Sequence, residues 1–418
     1  MNILLRSARI IDPLSDLHRK VSDILIQNGI ITKIGKNLEL PKNCQEVKLK
    51  NLHISRGWFD SSVSFGEPGY EERETLIHGL EVAGRSGFTK VAVNPNTRPC
   101  IDNKSAVEFL LRKSADSPVQ LCPIANLTQG AEGKELAELY DMASSGAVAF
   151  GDYDRPVDNA NLLKIALLYA QNFDGLVLSF PQDKTIAFHG FVNESENTTR
   201  LGLNSIPNLA EELQVARDLF LLEYTGGKLH IPTISTARSA QLIREAKKKG
   251  LDVTCSVAAH HLFLTDAEIQ SFDTNFKVSP PLRSDRDVKG LIKAVKDETI
   301  DMIVSDHCPI DIENKNVEFE NALFGSIGLE TLFGSAGSTV ELDQLIACLT
   351  EKPCRRFNLP CFGIEEGKEA DLTLFDPDKE YLFENQNILS KSKNSAFLGK
   401  KLRGKAYGII AKGQLVLN

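Results

Sequence analysis

The sequence predicts an α/β fold, a closed (β/α)8 TIM-type barrel carrying a small β-sandwich domain built from both chain termini. Three observations predict it. From about residue 85 to residue 350, short β-rich runs alternate with helical stretches, the pattern of parallel βα units. Those runs are continuously apolar, as a sheet covered on both faces requires. Both ends of the chain instead read as short alternating strands separated by turns. At 418 residues the chain exceeds the usual size of a single core. The barrel is therefore drawn at 56–359 and the sandwich at 1–55 plus 360–418.

Taken in order, "ARIIDPLSD" and "DILIQNGIITKIG" supply the first sandwich strands. "GWFDSSVSFGEPGYEERETL" then has the layout of a barrel strand that ends in a Gly/Pro turn and enters a charged helix. "TKVAVNPNT", "GAVAFGD", "GLVLSF", "KLHIPTIS", "DVTCSV" and "IDMIVSDH" follow as buried strands. Among the helices, "STARSAQLIREAKKKG" opens on Ser/Thr, sets Ala240, Ile243 and Ala246 at helical spacing, and closes on Gly250 after three lysines. So many repeated units favour closure over an open sheet, and no Gly-x-Gly-x-x-Gly follows an early strand to cradle a dinucleotide. "KEADLTLFDP" and "RGKAYGIIAKGQLVL" complete the sandwich. Neither end has enough apolar surface for its own core, so the two ends are expected to pack on each other.

Composition narrows the function. With 48 Lys+Arg against 56 Asp+Glu the net charge is −8, which argues against a nucleic-acid partner. Arg6, Arg9 and Asp12 interrupt the N-terminal apolar residues, and no apolar run is long enough to span a bilayer. No membrane association and a cytoplasmic location are expected. The eight cysteines are scattered without a Cys-x-x-Cys pair, so small buried apolar roles are expected for most.

In a barrel the residues at the C-terminal strand ends face the active site. Ser62, Ser64, Asn96, Asp152, Phe180, Thr233 and Asp306 fall at such ends. Around them the chain resembles the dihydroorotases of the cyclic amidohydrolase superfamily. "GWFDSSVSFGEPG" aligns with the family pattern Pro-Gly-Phe-Ile-Asp-x-His-Val-His-Leu-Arg-Glu-Pro-Gly, and "VNPNTRP" with its Pro-Asn-Thr segment. "VAAHHLFLT", "KVSPPLRSDRD", "VSDHCPI", "GSIGLET" and "GKEADLTLFDP" match further family segments in the family's order.

The resemblance implies a reaction that opens or closes a cyclic amide, with metal ions polarising the carbonyl and activating a water. It also implies which ligands are missing. The family's His-x-His pair falls on Ser62 and Ser64, its third histidine on Phe180 and its fourth on Thr233. Only the carboxylate positions survive, as Asp152 and Asp306. The arginine that would hold the substrate carboxylate falls on Gly66, its companion Asn on Ser279 and a late His on Ile310, which leaves Asn96. The expectation is a degenerate, catalytically inactive member with Asp306 and Asn96 as vestiges and no metal. By the same resemblance, the chain is expected to act in pyrimidine biosynthesis as a non-catalytic scaffold for aspartate transcarbamoylase, as a homo-oligomer or hetero-complex.

The alternative is an active dihydroorotase or other cyclic amidase in which Asp152, Asp306 and His307 rebuild a zinc site and Arg98 binds the substrate anion. Plainer readings also stand. Asp306 fits a turn or cap, Asp152 and Asp154 a loop ion pair with Arg155, and His230, His260, His261 and His307 structural roles. Two carboxylates sharing a metal-free pocket would need a substitute partner, expected as a Lys or Arg side chain or ordered water.

Overall fold

A computed structural model describes residues 2–418. Eight parallel strands form one sheet: β1 (Trp58–Val63), β2 (Phe88–Val93), β3 (Gln120–Ala125), β4 (Ala149–Phe150), β5 (Leu176–Leu178), β6 (Lys228–Ile231), β7 (Val253–Ala258) and β8 (Met302–Val304). They are hydrogen-bonded in chain order, and the sheet closes just past β8, where Ser64 N donates to the His307 carbonyl at 2.7 Å. Alternation along the strands separates two cores. Phe59, Ala92, Cys122, Ile124, Leu176 and Met302 fill the barrel interior, whereas Trp58, Val91, Leu121, Val177 and Leu229 pack outward under the helices.

Those helices are α1 (Leu76–Arg85), α2 (Lys104–Lys113), α3 (Leu139–Ser144), α4 (Ala160–Ala170), α5 (Asn208–Thr225), α6 (Ala237–Lys248), α7 (Asp285–Lys296) and α8 (Leu342–Leu349). α6 is the helix the sequence predicts. Thr236 Oγ1 accepts from Ser239 N at 3.1 Å, Ala240, Ile243 and Ala246 are buried, and Gly250 follows at φ +84°. The strand the sequence reading passes over is β3. "QLCPIA" opens on a polar residue and contains Pro123, which argues against a central strand. It is a strand nonetheless, and the Pro123 carbonyl still accepts from Val148 N at 2.9 Å.

The termini form a second, eight-stranded sheet. Gln414–Leu417, Lys401–Ala411, Leu372–Leu382, His53–Arg56, Asn2–Ile10, Val21–Gln27 and Ile30–Gly35 pair in that spatial order, with Gln45–Val47 also on the first strand. The sheet curls over itself: Ile31 N donates to Lys368 O at 2.9 Å, and Ile31, Ile54 and Ile410 share one apolar cluster. Gly57 is the joint to the barrel. Its N donates to Asp371 O at 2.8 Å, and a Cβ there would overlap the Thr89 and Asp371 side chains, so glycine lets the two sheets meet.

Candidate functional site

The C-terminal mouth of the barrel holds a small cavity bordered by Ser62, Asn94, Asp152, Phe180, Thr233 and Asp306, together with Tyr153 and Ser279. Three of the positions that the resemblance assigns to histidines (Ser62, Phe180 and Thr233) and both carboxylates stand around one space, with Ser64 one bond behind it through Asn94. Asn94 Nδ2 donates to Ser62 Oγ at 3.2 Å and Ser64 Oγ at 3.3 Å. The space is about 30 Å³. That suffices for a water or two, while pockets for small organic ligands run to several hundred Å³. Phe180, only 6% exposed, occupies much of what would be open.

The backbone at the strand ends keeps a strained geometry. Tyr153, Thr233 and Asp306 sit at φ +57°, +47° and +50°. For β-branched Thr233 the left-handed region is a true outlier and costs on the order of 1–3 kcal/mol.

The two carboxylates have different environments. Asp152 Oδ1 accepts from Leu127 N at 2.9 Å and Thr128 N at 3.1 Å, and Oδ2 accepts from Thr128 Oγ1 at 2.5 Å. Asn126 Nδ2 adds a longer bond at 3.3 Å. Burial still raises its pKa against these donors. Asp306 accepts from Ser62 Oγ at 3.4 Å. Burial, and then the neighbouring carboxylate of Asp60, push its pKa up to about 7. The substitute partners are therefore hydroxyls and amides, and the expected Lys or Arg does not line the cavity. Of the expected loop ion pair, Asp152 takes its partners from residues 126–128 instead, while the charge of Arg155 acts on Asp154, opposing the rise that burial imposes on its pKa.

Asp60, in the "GWFD" stretch, carries no sequence signal of a role at the site. It is fully buried, accepts from Ser62 N at 3.2 Å and Ser305 N at 3.1 Å, and so pins β1 to β8. Burial pushes its pKa up to about 7. Asn94, which the resemblance does not single out, borders the cavity, whereas Asn96 is half-buried beside it with its Oδ1 lacking a hydrogen-bond partner.

Zinc requires nitrogen, sulfur or carboxylate ligands converging at about 2.0–2.3 Å. The residues present do not fit it. Hydroxyls and a phenyl ring stand at four ligand positions, Asp152 has both oxygens engaged, and no cluster of three His, Cys, Asp or Glu that could hold a metal occurs among the described residues. His307 is turned away: its Nδ1 accepts from Gly328 N at 3.2 Å and Leu329 N at 3.4 Å, and burial lowers its pKa to about 4. It serves the turn after the barrel closure. Arg98 is exposed and does not border the cavity.

The positions that the resemblance assigns to the substrate side are filled as well. A Cβ at Gly66 would overlap the Tyr70 carbonyl oxygen, because Tyr70 N donates to Gly66 O at 2.9 Å and folds the loop across that position. Ile310 is buried and held by Asn394 Oδ1 at 3.0 Å. His230 and His261 are core residues: the first bonds Thr254 Oγ1 at 2.9 Å, and the second donates to Pro280 O at 3.1 Å. Burial lowers their pKa values to about 3 and about 4, and that of His260 well below the usual range.

Comparison with known proteins agrees with the fold and the motifs. The sequence model of the family described as "Dihydro-orotase-like" matches residues 53–239. A protein named dihydroorotase from Syntrophus aciditrophicus is 38% identical over 423 residues, covering 100% of this chain and 99% of its own. One of the same name from Pelotomaculum thermopropionicum is 38% identical over 424 residues, with the same coverage. Among solved structures, L-hydantoinase (dihydropyrimidinase) from Arthrobacter aurescens is similar with a TM-score of 0.85 at 21% identity, covering 100% of this chain and 96% of that one. D-hydantoinase (dihydropyrimidinase) from Thermus sp. gives 0.83 at 19% identity, covering 100% and 95%. At such identities the structural likeness speaks for the fold alone.

Proposed function

From the premise that this chain belongs to the dihydroorotase-like family, we propose that it is a non-catalytic member, kept in pyrimidine biosynthesis as a scaffold subunit for aspartate transcarbamoylase. One observation carries the non-catalytic reading. Ser62, Thr233 and Phe180 close a cavity of about 30 Å³ where a cyclic amide and its metal would have to fit. Hydrolysis of a cyclic amide needs a polarised carbonyl and an activated water. Asp306, raised to about 7 and bonded to a hydroxyl, can exchange a proton near neutral pH, but no Lys or Arg lines the cavity to polarise a carbonyl.

The scaffold reading is supported by what persists. "VNPNT", "PPLR", "GLET" and "ADLTLFDP" keep the family pattern while the ligand positions have changed, so selection acts on shape. In this reading the subunit engages its partner through surface loops, with zinc playing no part. Two experiments test the two halves. Steady-state assay with dihydroorotate, in zinc-supplemented buffer, should give no rate above the uncatalysed one, and measurable turnover would overturn the non-catalytic reading. Co-expression with aspartate transcarbamoylase followed by size-exclusion chromatography should give one peak; separate elution at micromolar concentration would overturn the scaffold role.

A further inference from the structure

Burial raises the pKa of six of the eight cysteines: buried Cys122, Cys255, Cys308 and Cys348, and half-buried Cys44 and Cys100. The remaining two, Cys354 and Cys361, meet each other. Cys354 is buried on a short last helix, α9 (Glu351–Arg356), and Cys361 is half-buried in the segment that leads from the barrel back to the sandwich. Leu359 N donates to the Cys354 carbonyl at 2.8 Å, which turns the chain back so that the two thiols come into contact in one apolar cluster. Arg56 faces the pair, its Nη1 donating to Cys361 Sγ at 3.9 Å, and the charge of Lys90 reaches both sulfurs. Carboxylates fix both cations in place: Arg56 Nε donates to Asp12 at 2.9 Å, and Lys90 pairs with Asp371. The consequence is a split. The bond between the thiols, and then Arg56, lower the pKa of Cys361 against its burial, while the same bond and burial raise that of Cys354.

We propose that Cys361 and Cys354 are a peroxide-reactive dithiol, in which a hydroperoxide oxidises Cys361 and Cys354 then closes the pair into an intramolecular disulfide. The thiolate is the nucleophile, and cysteines that react sit beside cations and partly open to solvent. Cys361 meets both conditions. Its thiolate attacks one oxygen of hydrogen peroxide: the S–O bond forms as the O–O bond breaks, the hydroxide released takes up the proton the thiol gave, and Cys361 becomes a sulfenic acid. The Cys354 sulfur then attacks the Cys361 sulfur. The S–S bond forms as the S–O bond breaks, and the hydroxyl leaves as water with the Cys354 proton. The two thiols are oxidised, the peroxide is reduced to water, and a thiol reductant reverses the change by exchange. The pair lies at the barrel floor, where Phe357 packs on Phe59 at the start of β1, with ring centroids 5.3 Å apart. Oxidation there removes the charge that faces Arg56 and ties the linking segment to α9. The inference is independent of whether the barrel mouth is active.

Peptide mapping of the full chain tests it. The reduced protein is treated with a small excess of hydrogen peroxide, free thiols are blocked, and the chain is cut with trypsin, which cleaves at Arg355 and Arg356 between the two cysteines. The expected product is a cross-linked peptide pair joining Cys354 to Cys361 that dithiothreitol resolves. In the Cys354→Ser variant, dimedone should trap a sulfenic acid on Cys361; in Cys361→Ser, neither the disulfide nor a dimedone adduct on Cys354 should form. A further measurement needs no variant. Limiting iodoacetamide at pH 7 should label Cys361 in the native chain at least about tenfold faster than half-buried Cys44 or Cys100, the gain in thiolate that a pKa lower by about one unit gives. Peroxide that leaves both thiols free, a disulfide formed with any other cysteine or between chains, dimedone on Cys354 in place of Cys361, or equal labelling of the three half-buried cysteines would each overturn the proposal.

Discussion

Asp306 and Asp60 are two buried carboxyls on either side of Ser62, and water does not screen their repulsion well. Both are pushed up to about 7, chiefly by burial. A carboxyl raised in the folded state binds protons there that the unfolded chain has released. The sign follows: the pair favours folding below about pH 4 to 7 and opposes it increasingly as pH rises through that window. His230 and His307, lowered to about 3 and about 4, run the other way and cost stability as pH falls below about 6.5. A difference between variants isolates the acids. Asp306→Asn should raise the melting temperature at pH 8, by about 1–3 kcal/mol of stability, and change it much less at pH 5. Phe180→Ala should cost about 3 kcal/mol in denaturant unfolding, because the ring fills the mouth of the barrel. That Ser62, Phe180 and Thr233 would meet at the barrel mouth, with Ser64 just behind, was readable from sequence because motif order fixes register along each strand. Asp60 and Asn94 were not, since their importance lies in contacts across the barrel, and Asp60 meets a residue 245 positions away.

At the level of elements, local chemistry explains what could be read. α6 announces itself by its cap, its spacing and its closing glycine, and Thr236→Ala should cost about 1 kcal/mol in thermal unfolding. β3 does not announce itself, because Pro123 and a polar start defeat the pattern, and only its neighbours' hydrogen bonds make it a strand. The loop from Gly66 to Glu74 belongs to the second kind. Its sequence places Gly66 where the resemblance implies an arginine. That Tyr70 now folds across the position, with Gly66 N donating to Glu74 O at 3.0 Å, depends on the loop's closure. Gly66→Arg should therefore restore no anion binding. It should instead lower stability by about 2 kcal/mol or more, measured by chemical denaturation, since the Cβ has no room.

On the scale of the whole molecule, the barrel and the two-ended sheet were readable because both rest on periodicity and motif order. The curl of that sheet was not, for it depends on which surfaces find partners. One statement joins these scales: a dihydroorotase-like frame persists, with hydroxyls, a phenyl ring and a folded-over loop at the positions where the resemblance places metal ligands and the substrate-binding arginine. If shape is what is kept, Asp306→Asn should leave assembly with aspartate transcarbamoylase, and that enzyme's activity, unchanged in a co-purified complex. The most direct test is the zinc content of the full-length chain purified from zinc-supplemented medium and dialysed, read by inductively coupled plasma mass spectrometry. Two carboxylates without nitrogen ligands hold a transition metal weakly, so the account predicts well under one equivalent of zinc per chain; one or two tightly held equivalents would contradict it.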